Sequence, residues 1–179
     1  KDEENPVENV SWDDAQAFIS TMNDLKAELK FCLPTEAQWE YACRAGTTTP
    51  FSWGEQIDSS RVNFNGTAPY NNGLKSEFRQ QTVAVKALPC NDWGLYQMHG
   101  NVWEWCQDRY GEYPPEPVID LKGSETGDDR VLRGGTWYGV ARRARSASTS
   151  SGRRSGTQAS AMGLEARGLV AAAVHVHVH

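Results

Sequence analysis

The chain has 179 residues, which is enough for one domain with a buried core. Hydrophobic residues make up 39% of the sequence and seven residues are tryptophan, so intrinsic disorder and a coiled coil are excluded. No apolar run approaches the roughly 20 residues that span a bilayer. The chain does not begin with Met, and its start has no signal-peptide pattern.

Charge is distributed unevenly along the chain. The net charge is −5, which disfavours general nucleic-acid binding. Residues 130–168 nevertheless hold eight arginines, no lysine and a single acid, Glu165. This basic segment suits an anionic partner surface, and charge balance within one fold is an equally weighted alternative.

The four cysteines form no CxxC pair, so we expect neither zinc nor a disulfide framework but buried small side chains. They are Cys32, Cys43, Cys90 and Cys106.

Two helices are predicted. Ser11 precedes the first, over 12–29, with Asp14 close to a capping-box position and Asn23 facing water. Its apolar face comprises Trp12, Ala15, Phe18, Ile19, Met22 and Leu25. Thr35 precedes the second, with Gln38 at the capping-box position and Gly46 at the end. Its inner stripe comprises Trp39, Ala42 and Cys43.

The rest of the chain is loop-rich. Strands are predicted at 81–85 and 102–105, and the loops carrying Trp53, Trp93, Trp103 and Trp105 should wrap a core. Residues 139–161 have the composition of a linker or an exposed surface. Alternating Val and His end the chain, which favours an appended tail or an edge strand over a metal site.

Four blocks carry a family resemblance: NVSWDDA at 9–15, LPTEAQWEYA at 33–42, GLYQMHGNVWEW at 94–105 and RVLRGGTW at 130–137. Their order and spacing resemble the formylglycine-generating-enzyme (sulfatase-modifying factor) family over about residues 6–147. The resemblance implies one α+β domain of C-type-lectin-like fold, with two helices on short antiparallel strands and long ordered loops. The N-terminal strands usual in the family are missing before the first helix.

Function is not decided by the resemblance, because the family supports several activities on one fold. Enzymes that oxidise a cysteine to formylglycine hold copper with two cysteines, and soft thiolates suit Cu(I). Those positions fall near Ala141 and Ser146, so we expect no copper and no such activity. A sulfoxide synthase requires a histidine triad, and the clustered histidines here are His175, His177 and His179 in the tail.

The favoured interpretation is a variable binding protein of a diversity-generating retroelement. Such proteins follow the family up to the Gly-Gly-Thr-Trp block and then carry residues altered by adenine-directed mutagenesis. Every residue from Tyr138 to Thr157 is accessible from adenine-mutated Asn codons, whereas Gln158 is not. The alternatives are an enzyme, either a formylglycine-generating enzyme or a sulfoxide synthase, and the non-catalytic accessory domain of such an enzyme.

The expected ligand-binding surface lies within 138–161, on the scaffold formed by residues 133–137 with Trp137 packed inside. Arg142, Arg145, Ser146 and Ala147 are expected to be fixed. The expected variable residues are Tyr138, Gly139, Val140, Arg143, Ser148, Ser150, Gly152, Arg153, Ser155, Gly156, Ala159 and Ser160. The ligand would be a protein or a cell-surface molecule. The protein would sit on a cell surface or a phage particle if this interpretation holds, and in the cytoplasm otherwise.

Two structural calcium sites are implied by the resemblance, since calcium takes six to eight oxygen ligands. The first would use Gln97, the carbonyls of Gly100 and Val102, and Glu104. The equally weighted alternative is that Glu104 binds no calcium and is hydrogen-bonded to amides of the loop. The second, weaker set is Asn63, the Phe64 carbonyl, Glu77 and the Arg79 carbonyl. His99 is expected to be a structural hydrogen-bonding residue rather than a catalyst.

Overall fold

The computed structural model describes residues 3–26, 30–116, 118–119, 121–156 and 160–161. Its elements in chain order are α1 (Trp12–Leu25), α2 (Glu36–Arg44), β1 (Trp103–Arg109), β2 (Asp129–Arg133), a 3-10 helix (Ala141–Ala144), β3 (Ser150–Arg153) and β4 (Ser160–Ala161). The histidine tail and Ala159 lie outside the described residues.

Both helices begin at the capping boxes that the sequence predicts. The Ser11 side chain accepts from the Asp14 N–H and the Asp14 carboxylate accepts from the Ser11 N–H. Thr35 and Gln38 form the same reciprocal pair at α2. At the other end of α2, Ala45 adopts a left-handed φ of 47° immediately before Gly46, which also has positive φ.

Helix α1 is shorter than predicted. It ends at Leu25, and the Asn23 side chain bonds both main-chain groups of Phe31, which holds the returning chain beside the helix. Asn23 is therefore half-buried rather than facing water. Phe18 and Leu25, expected in the apolar face, are 41% and 71% exposed, because the buried face of α1 is narrower than its apolar stripe.

The strands form one sheet in the order β3-β2-β1-β4. β2 is antiparallel to both β1 and β3, with Leu132 opposite Ser150 and Asp129 opposite Arg153. β4 pairs parallel with the start of β1, which departs from the expectation of antiparallel strands throughout.

Of the two predicted strands, the one over 102–105 is confirmed as the start of β1, and the one over 81–85 is wrong. Main-chain groups of residues 81–83 form hydrogen bonds with side-chain amides and not with a neighbouring strand. Asn101 contacts both main-chain groups of Val83, and Asn63 donates to the Gln81 carbonyl.

The helix α1 packs on the sheet through a tryptophan-rich core. Trp12, Ala15 and Ile19 lie against a set from the strands that comprises Trp103, Trp105 and Leu132. Of the loop tryptophans expected to wrap a core, Trp53 packs against a second cluster around Phe51, whereas Trp93 is 47% exposed. Within the described part of the chain, no helix is long and apolar enough to cross a membrane.

The segment after the sheet is more structured than its composition predicts. Residues 141–144 form the 3-10 helix, and Ala141 and Ala144 are buried in the cluster around Phe51. Ser146 and Ser148 are buried as well. Small side chains here allow the backbone to pack closely against the core, and this is why a linker-like composition forms part of the interior.

Candidate functional site

The backbone that supports the expected variable surface is held by Arg133, the last residue of β2. Arg133 is 1% exposed, and its guanidinium donates to the carbonyls of Ser148 at 2.6 Å and Ser146 at 2.8 Å. It also pairs with Glu40 of α2 and lies over the Trp39 ring at 5.0 Å. One buried cation thus ties the segment after the sheet to α2.

The turn after Arg133 requires its glycines. Gly134 and Gly135 both have φ near 90°, a region that L side chains rarely adopt. A Cβ on Gly135 would also lie 3.1 Å from the Arg143 carbonyl oxygen. The next residues are anchored by main-chain bonds, because the Trp137 N–H donates to the Asn101 carbonyl at 2.8 Å.

Trp137 itself is half-buried, not packed inside as expected. Its ring stacks on Phe78 with centroids 6.1 Å apart and meets Tyr138 edge to face at 5.1 Å. The remaining surface of Trp137 lines a cleft of about 640 Å³. An aromatic group at the entry to the variable segment is therefore available to a ligand.

The expected variable residues divide by exposure. Tyr138, Arg143, Arg153 and Ser155 are exposed, and Gly139, Val140, Ser150 and Gly156 are half-buried. Ser148 and Gly152 are buried, so the expectation that they lie on the surface is wrong. Gly152 faces Arg130 within the sheet, and the Ser148 hydroxyl donates to the Arg142 carbonyl. The side chain of Ser160 is outside the described set.

These residues divide into two groups, toward the two ends of the pairing between β2 and β3. Tyr138, Gly139 and Arg143 follow the end of β2, where Leu132 pairs with Ser150. Arg153 lies opposite Asp129, three residues along the strand, which corresponds to roughly 10 Å. The second group, with Ser155 and Gly156, adjoins the start of α1, because the Arg154 guanidinium binds the Asp13 carboxylate at 2.8 Å.

The first group carries uncompensated positive charge. Arg142 and Arg143 project from the 3-10 helix and are exposed, and neither has an ion-pair partner among the described residues. Of the residues expected to be fixed, Ser146 is buried, Arg145 is half-buried, and Arg142 and Ala147 are exposed.

The two residues that the family resemblance places near the copper cysteines are both buried. Ala141 packs in the interior, and the Ser146 N–H and hydroxyl both donate to the Pro50 carbonyl. Cys43 lies close to Ser146, and burial raises the pKa of its thiol to about 12. Cys43 is therefore a neutral thiol at physiological pH.

His99 is a buried structural residue, in line with its expected role. Its Nδ1 lies 2.7 Å from the Ala144 carbonyl oxygen, so Nδ1 carries the proton, and its Nε2 accepts from the Ser52 N–H at 3.3 Å. Burial lowers the pKa of His99 to about 4, which keeps the ring neutral. His99 joins the loop around Ser52 to the 3-10 helix.

The first calcium set has donors that fit the ion. Glu104 is buried, its Oε2 accepts from the Trp39 indole N–H at 2.7 Å, and burial raises its pKa to about 8. The Gln97 Oε1 is buried without a hydrogen-bond partner in the described structure. A buried carboxyl group and an unpaired amide oxygen are ligands that calcium takes.

The second calcium set fits less well. The Asn63 Oδ1 is buried without a hydrogen-bond partner in the described structure, while its amide group donates to Asn101. The Glu77 side chain is exposed and already pairs with the Arg79 guanidinium at 3.1 Å. A cation there would have to compete with that arginine for the carboxylate.

Sequence reasoning missed two features of the site. Asn101 joins three loops through its main chain and side chain, and its left-handed φ of 65° is the local sign of that role. The sequence also does not predict the cleft beside Trp137, because most of its 80–84 wall falls within the strand predicted over 81–85.

Comparison with known proteins places the chain in a family. Residues 1–165 match the model of the sulfatase-modifying factor enzyme 1-like domain. The chain is 36% identical over 140 residues to the formylglycine-generating enzyme of Bos taurus, and the match covers 75% of the chain and 35% of that enzyme. It is 33% identical over 138 residues to the inactive C-alpha-formylglycine-generating enzyme 2 of Bos taurus, covering 76% of the chain and 40% of that protein.

Among solved structures, Treponema denticola variable protein 1 superposes with a TM-score of 0.74 at 25% identity, covering 87% of this chain and 68% of the other. The α+β, C-type-lectin-like fold predicted from the sequence is thereby confirmed. The chain spans about a third of the length of the formylglycine-generating enzyme it matches. The chain belongs to the sulfatase-modifying factor enzyme 1-like domain family.

Proposed function

We propose that this chain is a non-catalytic ligand-binding protein whose exposed residues after Trp137 are diversified by a diversity-generating retroelement. The observation that carries the proposal is how the variable segment is held. Its supports are bonds to main-chain atoms, above all those from Arg133 to the carbonyls of Ser146 and Ser148. Bonds of this kind persist when the exposed side chains change.

Further main-chain bonds extend this support through the first group. The Asn65 N–H donates to the Gly139 carbonyl at 2.9 Å, and the Arg143 N–H donates to the Val140 carbonyl at 2.9 Å. Tyr138 and Arg143 can therefore vary on a fixed backbone, and variable binding residues on rigid supports are the usual arrangement in binding proteins.

The composition of the segment and the solved neighbour support the same proposal. Residues 138–157 contain only types accessible from adenine-mutated Asn codons. The neighbour at a TM-score of 0.74 is itself a variable protein. The exposed arginines Arg142 and Arg143 favour a ligand, protein or cell-surface, with an anionic patch.

The same positions support the inference that the chain lacks formylglycine-generating activity. Copper requires soft ligands, and Ala141 and Ser146 supply no thiolate where the family resemblance places the two cysteines. Loading the chain with Cu(I) and supplying oxygen and a sulfatase cysteine peptide tests this inference. We expect no peptide aldehyde by mass spectrometry, and its formation would make the chain an enzyme.

We also propose a structural Ca²⁺ held by Gln97, the carbonyls of Gly100 and Val102, and Glu104. The ion would supply the positive charge that a buried carboxylate needs. The loop it would hold leads into β1 and contains Asn101, which supports Trp137.

A further inference from the structure

The cleft beside Trp137 has a wall with an unusual hydrogen-bonding pattern. The cleft has a volume of about 640 Å³ and is lined by residues 80–84, Asn5, Glu8 and Trp137. That volume lies within the range of ligand pockets, roughly 300–1,000 Å³. The wall at 80–84 has no strand beside it in the described structure.

Side-chain amides bond three main-chain groups along one edge of this wall. The Asn101 Oδ1 accepts from the Val83 N–H at 3.0 Å, and the Asn101 Nδ2 donates to the Val83 carbonyl at 3.1 Å. The Asn63 Nδ2 donates to the Gln81 carbonyl at 2.8 Å. Asparagine amides thus take the place of a neighbouring strand along the inner edge.

This pattern fixes the direction of the remaining main-chain groups. The N–H and carbonyl of Val83 and the carbonyl of Gln81 face the same way, as they do in an extended chain. In an extended chain, the N–H and carbonyl of the residue between them face the opposite way. The outward groups are the N–H and carbonyl of Thr82. Neither group has a hydrogen-bond partner in the described structure.

Thr82 is only 8% exposed, so these two groups are largely removed from bulk water. Main-chain groups that are buried in this way are almost always bonded to protein, ordered water or a ligand. A second extended chain satisfies both groups at once, because a strand edge pairs with another strand through alternate residues.

We propose that the cleft binds an extended peptide segment, which adds as a strand to the outer edge of Thr82 beside Trp137. This inference rests on the proposed function in one respect, because the peptide would be part of the protein ligand that the chain binds. The cleft then supplies constant main-chain contacts, and the exposed side chains from Tyr138 onward supply the variable ones. Trp137 lies between the two, since it lines the cleft and touches the Tyr138 ring.

The free chain gives the first test. In an NMR hydrogen-exchange experiment on the whole chain, we expect the Val83 amide, which is bonded to Asn101, to be more protected than the Thr82 amide, which has no acceptor in the described structure. A Thr82 amide that is already protected would show that the chain covers its own edge, and the proposal would be overturned.

The second test uses a phage-displayed library of random seven-residue peptides selected on the full chain. Selected peptides, once synthesised, should protect the Thr82 amide and should lose at least about tenfold in affinity for Thr82→Pro, which removes the outward N–H. The control Lys75→Ala changes an exposed side chain outside the cleft and keeps the edge, so affinity should stay the same.

Methylating single peptide nitrogens separates strand addition from side-chain binding. We expect methylation at alternate residues to abolish binding and methylation at the residues between them to be tolerated. Failure to select peptides, or peptides that bind Thr82→Pro as well as they bind the unchanged chain, would overturn the proposal. Peptides that lose affinity only for Tyr138→Ala would place binding on the variable surface and also overturn it, leaving the proposed function intact.

Discussion

The carboxyl group of Glu104 and the indole N–H of Trp39 meet at 2.7 Å in the interior between α2 and β1. The hydrogen bond from Trp39 opposes the effect of burial, yet burial still raises the pKa of Glu104 to about 8. Among the described residues, no cationic side chain lowers the pKa of Glu104. The pair therefore places a carboxyl group where ionisation is costly unless a cation is supplied.

The stability of the chain in a calcium chelator should depend on Glu104. An unfolded Glu loses its proton near 4.5 and the folded Glu104 near 8, so the free energy of unfolding should fall as pH rises between these values. Glu104→Gln retains an acceptor for Trp39 and removes the ionisation. Denaturation curves should show the unchanged chain losing more than about 2 kcal/mol relative to Glu104→Gln from pH 5 to pH 8. Parallel pH profiles of the two proteins would contradict this assignment.

Calcium should stabilise the chain, and more strongly at pH 8 than at pH 6. Binding requires the ionised carboxylate, so it releases the proton that Glu104 otherwise keeps. A scan of melting temperature against calcium concentration should show a rise for the unchanged chain and none for Glu104→Gln. An equal response of both proteins would mean that the ion binds elsewhere, and no response would leave Glu104 held by Trp39 alone.

The two arginines Arg133 and Arg143 should respond in opposite ways to the same conservative substitution. Arg133→Lys keeps the charge but cannot bond the carbonyls of Ser146 and Ser148 in the same geometry, so we expect a loss of about 2 kcal/mol or more. Arg143→Lys, on the exposed 3-10 helix, should change the free energy of unfolding by less than about 0.5 kcal/mol. Equal losses in chemical denaturation would contradict the division into support and variable surface.

Thiol labelling of the native chain should be selective. Cys90 is exposed and should react first, whereas burial raises the pKa of Cys43 and of Cys106 and keeps both as unreactive thiols. Mass spectrometry after maleimide treatment should place label on Cys43 and Cys106 only when the chain is unfolded. Rapid native labelling of Cys43 would reveal an accessible reactive thiol and reopen the enzyme interpretation.

Local chemistry made the helices predictable. A capping box involves residues three positions apart, so Ser11 with Asp14 and Thr35 with Gln38 could be identified from the sequence. The family blocks likewise identified the fold, because they record its turns and core residues in order.

Contacts distant in sequence explain the errors. The Val-rich run at 81–85 has strand composition, but its partner is the side chain of Asn101, which no local pattern reveals. Ser148 and Gly152 have surface composition, but the buried Arg133 and the pairing with Arg130 draw them inward. Composition alone could suggest which residues are candidates for variation, but not which of them the fold exposes.

The DNA that flanks the region coding for residues 138–161 tests the central claim most directly. The account predicts a nearby, almost identical repeat that differs at adenines of the template, together with a reverse transcriptase gene. The differences should fall at codons of exposed residues such as Tyr138, Arg143 and Arg153, and should spare the codons of Arg133 and Ser146. Flanking DNA with neither a repeat nor a reverse transcriptase gene would contradict diversification, and the chain would then be a binding or accessory domain of fixed sequence.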